Sequence, residues 1–146
     1  MGHLCWIIPL IVVIVYLLVR YGRRKPVILV VNSQDMVAEL IGAHFGKKYI
    51  VLGATSLGEA ERQFHSVNPR RIALIIIDGY VENWAQVDAV PLVKHFRITY
   101  LGPMVLAPSP TSANDELAAA AEHSVYRAED GQLVAEIRKA INWPEE

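Results

Sequence analysis

Five short apolar runs, each followed by a stretch with helical periodicity, leave this chain few folds to choose from. The runs are PVILVVN (26–32), YIVLGA (49–54), RIALIIID (71–78), PMVLA (103–107) and SVYR (124–127). The first and third are aliphatic throughout rather than alternating, which is the composition of strands buried on both faces. Ser33 can cap a helix through His44 whose stripe reads Met36, Val37, Leu40, Ile41 and Phe45. Ser56 opens a second helix with Leu57, Ala60 and Phe64 at helical spacing, and Asn68 and Pro69 end it. A third covers about Ala89 to Arg97, with Pro91 in its first turn, where a missing N–H is harmless. A fourth runs from Thr111 or Ser112 to about Glu122. The last spans Leu133 to Ile141, apolar at Leu133, Val134, Ile137 and Ile141. Strands joined by helices imply a parallel sheet covered on both faces, and about 120 residues suit five strands in a doubly wound α/β fold.

Ahead of that pattern lies LCWIIPLIVVIVYLLV, Leu4 to Val19, without a single charge. Sixteen residues span roughly 24 Å as a helix, close to a thin bilayer core once the flanks are added. Pro9 is tolerable in a membrane helix. No basic residue precedes the run, and Arg20, Arg23, Arg24 and Lys25 follow it, with no small-residue cleavage site. A cleaved signal has the opposite arrangement. The expectation is an uncleaved single-pass anchor over residues 1–21, a basic junction over 22–25, an α/β domain over 26–142 and a tail over 143–146. The basic cluster should stay inside, with the N-terminus outside and the domain in the cytoplasm. Beyond those four cations, ten Lys and Arg face fifteen Asp and Glu. The domain is acidic, which argues against nucleic acid as a partner. The single cysteine, Cys5, lies in the apolar run, so no disulfide or thiolate metal site is available.

The third run ends LIIIDGY, with Asp78 at its carboxyl end and Gly79 permitting a turn. In doubly wound sheets the working groups stand at the carboxyl ends of the strands, so Asp78 holds a site position. With this order of elements, the chain resembles the receiver domain of the two-component response-regulator (CheY-like) family over residues 26–142. DAVPLVKHFR (88–97) is similar to the family's run into its third helix, with Ala89 in place of glycine. The resemblance implies a flavodoxin-like (βα)5 sheet and makes Asp78 the counterpart of the phosphoaccepting aspartate. It also implies departures. The loop GYVENWAQV is about two residues longer than usual, and Glu82 stands where the family commonly has proline. The family's acid pair, which with the aspartate holds Mg²⁺, is replaced by Asn32 and Ser33, with Asp35 nearby in the next helix. The switch hydroxyl falls near Pro108, with Ser109 one place on. Arg127 matches the phosphoryl-pairing lysine, and Ala128 follows it in place of proline.

Three readings of Asp78 remain: a phosphoacceptor, an ion pair with Arg127, or a cap on the following turn. The loss of the acid pair points to a degenerate receiver, a pseudo-receiver without bound cofactor; Mg²⁺ enters only if Asp78 is active. The expected function is a bacterial membrane-anchored interaction module in signalling or membrane-complex assembly. The alternative is a working receiver phosphorylated on Asp78 by a histidine kinase. The resemblance implies a partner face over about 112–143, where Trp143 either presents an apolar group or folds back on the domain. Tyr80 and Trp84 either pack over the sheet edge, close the pocket or dock a partner. NSQDMV is unsuited to cradling a nucleotide. The serines and five histidines form no nucleophile-and-base arrangement, and His44, His65 and His95 are expected to stand singly on helices, so no enzyme is expected.

Overall fold

The computed structural model describes residues 4–22, 24–77, 89–108 and 111–142. Helix α1 (Leu4–Gly22) precedes a regular alternation: β1 (Val27–Val31), α2 (Asp35–Phe45), β2 (Ile50–Ala54), α3 (Leu57–Ser66), β3 (Ile72–Ile77), α4 (Ala89–Arg97), β4 (Met104–Leu106), α5 (Thr111–Ala121), β5 (Val125–Arg127) and α6 (Leu133–Ala140). The five strands form one sheet in the order β2-β1-β3-β4-β5, every pair parallel. This is the flavodoxin-like order, in which the connection changes direction beside β1 and β3.

The two-residue period of the strands sorts the core into two layers. Leu29, Val31, Ile75, Ile77, Met104 and Leu106 face one side, where Phe64 of α3, Phe96 of α4 and Leu117 of α5 cover them. Ile28, Val30, Leu74, Ile76 and Val105 face the other, under Ile41 and Phe45 of α2 and Ile137 of α6. All five residues of β1 are buried, as its aliphatic run requires of a central strand. The edge strands are short or partly exposed; Ile50 of β2 and Arg127 of β5 reach solvent.

Two helix starts illustrate the local chemistry. Ser56 caps α3: its Oγ accepts from the Glu59 N–H at 3.0 Å, and Glu59 Oε2 reaches back to accept from the Thr55 N–H at 3.0 Å. This is a capping box displaced by one residue on its return arm. The expected Ser33 cap is not observed. α2 begins at Asp35 behind Gln34, which makes no side-chain cap bond, because the preceding turn is closed by Asn32 instead. The expected apolar stripe of α2 is also narrower. Ile41 and Phe45 are buried with Val37 beside them, whereas Met36 (74% exposed) and Leu40 (48%) point away. Steps of four carry 37, 41 and 45 along one face, and 36 and 40 lie about 100° round from it.

The helix expected to span a membrane is present as α1, 19 residues with Pro9 inside it. Among the described residues, no helix is long and apolar enough to cross a membrane. The described side chains of α1 are those of 7–20, about 21 Å of helix at 1.5 Å per residue, against a bilayer core of about 30 Å. The backbone of the whole helix covers about 28 Å. Every described side chain of α1 is exposed, including all the large aliphatics from Ile7 to Val19.

Candidate functional site

The carboxyl ends of the strands lie along one edge. The register sets Val31 beside Ile77, Ile77 beside Leu106, and Leu106 beside Arg127. One step further, the ladder continues through backbone bonds: Asn32 N–H to the Ala54 carbonyl (3.0 Å), Ala107 N–H to that of Ile77 (2.9 Å), and Ala128 N–H to that of Leu106 (2.9 Å). Ile77 is the residue before Asp78. Asp78 itself, with Tyr80, Glu82 and Trp84, lies outside the described residues, as do Ser109, Trp143 and Arg23.

Around that row the structure places the other expected positions. Asn32 is 7% exposed, and its Oδ1 accepts from the Gln34 N–H at 2.8 Å. The amide closes the turn into α2, a task that short polar side chains at strand ends commonly take. Ser33 is half-buried, and Asp35 is exposed in the first turn of α2, where the helix dipole favours a carboxylate. At the end of β4, neither Ala107 nor half-buried Pro108 carries a hydroxyl. Asn114 of α5 is 6% exposed; its Nδ2 donates to the Ala107 carbonyl at 3.4 Å. Among the described residues its Oδ1 has no partner.

Arg127 closes the row. Its Nη1 donates to Asp115 Oδ1 at 2.6 Å, with both side chains about half-exposed. The partner of Arg127 among the described residues is thus Asp115, a residue with no sequence motif to mark it. The signal was topological: β4 pairs with β5, so the first turns of the helix that follows β4 stand over the end of β5. A pair this exposed contributes about 0–1 kcal/mol, so it orients the guanidinium more than it stabilises the fold. A divalent-cation site of the receiver type needs clustered oxygen ligands with several carboxylates. The end of β1 supplies one amide, committed to a turn, and one hydroxyl.

The junction residues also have structural partners. Arg20 Nη1 donates to the Tyr16 hydroxyl at 3.4 Å. The Lys25 carbonyl accepts from Arg71 Nη2 at 3.1 Å, and Lys25 Nζ donates to the Gly46 carbonyl at 3.4 Å. Arg24 is exposed.

A second grouping was not anticipated. His65 and His95, expected to stand singly, meet across α3 and α4 with Nε2 atoms 2.8 Å apart, and Glu61 stands 3.9 Å from His95 Nε2. His65 and His95 are 30 residues apart, so no motif spacing connects them; only the Glu61–His65 separation of one helical turn was visible in sequence.

No family model matches the chain, and no curated protein matches it. Solved structures do. A two-component response regulator from Clostridium difficile superposes with TM-score 0.62 at 15% identity, covering 82% of this chain and 98% of that one. The signal receiver domain of an HD-domain-containing protein from Pseudomonas fluorescens gives 0.63 at 18% identity, covering 82% and 96%. A Burkholderia pseudomallei response regulator, solved with a phosphorylated aspartic acid, gives 0.64 at 12% identity, covering 80% of this chain and 66% of that one. At these identities the likeness is one of fold: the described domain has the architecture of a receiver.

Proposed function

We propose that this chain is a membrane-anchored pseudo-receiver, an interaction module in signalling or membrane-complex assembly that works without phosphorylation. The observation that carries this reading is the end of β1. Asn32 and Ser33 stand where the receiver resemblance calls for an acid pair, and the Asn32 amide is already engaged in the turn into α2. Two further features support it. Ala107 and Pro108 offer no hydroxyl at the end of β4, and Arg127 is held by Asp115. Without Mg²⁺ to neutralise crowded negative charge, phosphoryl transfer to a carboxylate lacks its main electrostatic support.

The anchor is α1 together with its flanks. An uninterrupted exposed apolar surface of this size marks an interaction with a membrane or a partner, and the basic residues that follow it favour anionic lipid on the cytoplasmic side. The chain would sit in a bacterial inner membrane, N-terminus outside, with lipid and a membrane-resident protein, such as a histidine kinase or a membrane complex, as partners. Tethering raises the local concentration of the domain, so a weak contact through α5, β5 and α6 suffices.

The test uses the full chain in membranes, incubated with Mg²⁺ and acetyl phosphate, and its intact mass beside that of Asp78→Asn. No gain in mass is expected. One added phosphoryl group, absent in the variant, would make the protein a phosphoaccepting switch and end the pseudo-receiver reading. Alkaline washing of the same membranes checks the anchor: the chain is expected in the pellet, and its release into the wash would remove the anchor.

A further inference from the structure

The histidines of α3 and α4 are arranged as more than an interhelical contact. Glu61 and His65 are one turn apart on α3, and His95 faces them from α4. Taking one ligand atom from each, the three atoms lie within 4.8 Å of one another. We propose that Glu61, His65 and His95 form a three-ligand site for a divalent transition metal of the zinc class, with one coordination position open to solvent.

Ligand chemistry selects the metal class. Two imidazoles and a carboxylate suit Zn²⁺ and its neighbours, whereas Mg²⁺ and Ca²⁺ prefer all-oxygen shells. Zinc holds such ligands tetrahedrally at about 2.0–2.2 Å, which sets ligand atoms about 3.4 Å apart. The separations here, 2.8 Å between the imidazoles and 3.9 Å from His95 to Glu61, bracket that figure. The third separation is within 4.8 Å, and the adjustment falls on side chains that are exposed (Glu61, His65) or half-exposed (His95).

The rings are also partly preorganised. His95 and His65 both lie against Phe64, which stacks on Phe96 with ring centroids 4.3 Å apart at the top of the core. This aromatic layer fixes the spacing of α3 and α4 beneath the ligands. A shallow groove along α3, lined by Gly58, Glu61, Arg62, His65 and Ser66, borders two of the ligands, and the His95 and Glu61 side chains are 39% and 56% exposed, so an ion has a route in from solvent. The site lies on the helical face of the domain and shares no residue with the carboxyl edge of the sheet.

Titration of the full chain with ZnCl₂ by calorimetry tests the site, with His65→Ala, His95→Ala, Glu61→Gln and, as a control, His44→Ala. The ligand residues are at least partly exposed, so the variants are expected to fold. Wild type is expected to bind one zinc ion here and to show a zinc-dependent rise in Tm. Each histidine variant should bind at least about tenfold more weakly and lose the rise, since even outer-shell changes cost tenfold or more. Glu61→Gln should weaken binding by a smaller factor, and His44→Ala should match wild type. Co²⁺ in place of zinc should give the visible absorption of a four-coordinate centre in wild type and not in His95→Ala. A wild type that binds no zinc, or histidine variants that bind as it does, would overturn the site and leave the pair as a hydrogen bond between helices.

Discussion

Arg97 places a buried cation entirely on backbone oxygen. Its Nε donates to the Ala121 carbonyl (2.6 Å), Nη1 to those of Tyr100 (3.2 Å) and Gly102 (2.5 Å), and Nη2 to that of His123 (2.5 Å). Burial lowers its pKa from the ordinary value, with Tyr100 and Glu122 opposing the shift. The planar fork ties the end of α4 to the approach of β4 and the end of α5, a geometry that a lysine ammonium does not reproduce. Arg97→Lys is expected to lose about 3 kcal/mol in urea denaturation, because one ammonium cannot serve all four carbonyls and the buried ones of Ala121 and Tyr100 are left short of donors. Tyr100 lies against this group and donates its hydroxyl to the Pro103 carbonyl at 2.6 Å. Burial pushes its pKa well above the ordinary value near 10. The folded pKa therefore exceeds the unfolded one: stability is full below about pH 10 and falls as pH rises through the alkaline range. Tyr100→Phe should cost about 1 kcal/mol at neutral pH and flatten that alkaline decline in denaturation curves. Neither role was legible in sequence. Arg97 was visible as part of DAVPLVKHFR, but backbone carbonyls leave no side-chain signature to pair it with. Asp115 escaped for a related reason, since its pairing with Arg127 depends on which strands are neighbours.

At the scale of elements, the order and kind of strands and helices follow from residue pattern, and their boundaries follow from caps. The aliphatic runs became β1 and β3 because strands buried on both faces need no alternation. Ser56 signalled the start of α3, and the structure adds Glu59 as its reciprocal partner. Replacing Ser56 by Ala should destabilise the domain by about 1 kcal/mol. The stripe of α2 was read one step too wide, since apolar residues at 36 and 40 fit a helical period as well as 37 and 41 do. Which set faces the sheet depends on the angle at which the helix docks. Denaturation of variants separates the two: Met36→Ala and Leu40→Ala should each change stability by less than about 0.5 kcal/mol, and Ile41→Ala should lose about 2–5 kcal/mol. The start of α2 was misplaced because Asn32, read as a vacant metal-ligand position, has a local use in the turn. The carboxyl edge of the sheet was thus legible as a place in the fold, and the engagements of its described side chains were not.

For the whole molecule, the sheet order puts β1, the first strand in the chain, inside the sheet between β2 and β3. Only a short junction separates it from α1, and that junction is fastened: the Pro26 carbonyl accepts from the Ile50 N–H at 2.8 Å and the Lys25 carbonyl from Arg71. A pull on α1 therefore enters the domain along the length of an interior strand. Parallel ladders on both sides of β1 must then slide together under shear, whereas a terminal strand at a sheet edge would open one bond at a time, like a zip. Load applied through the N-terminus is therefore shared by two ladders, and forced unfolding from that end should depend on rupture of both rather than on fraying of one margin.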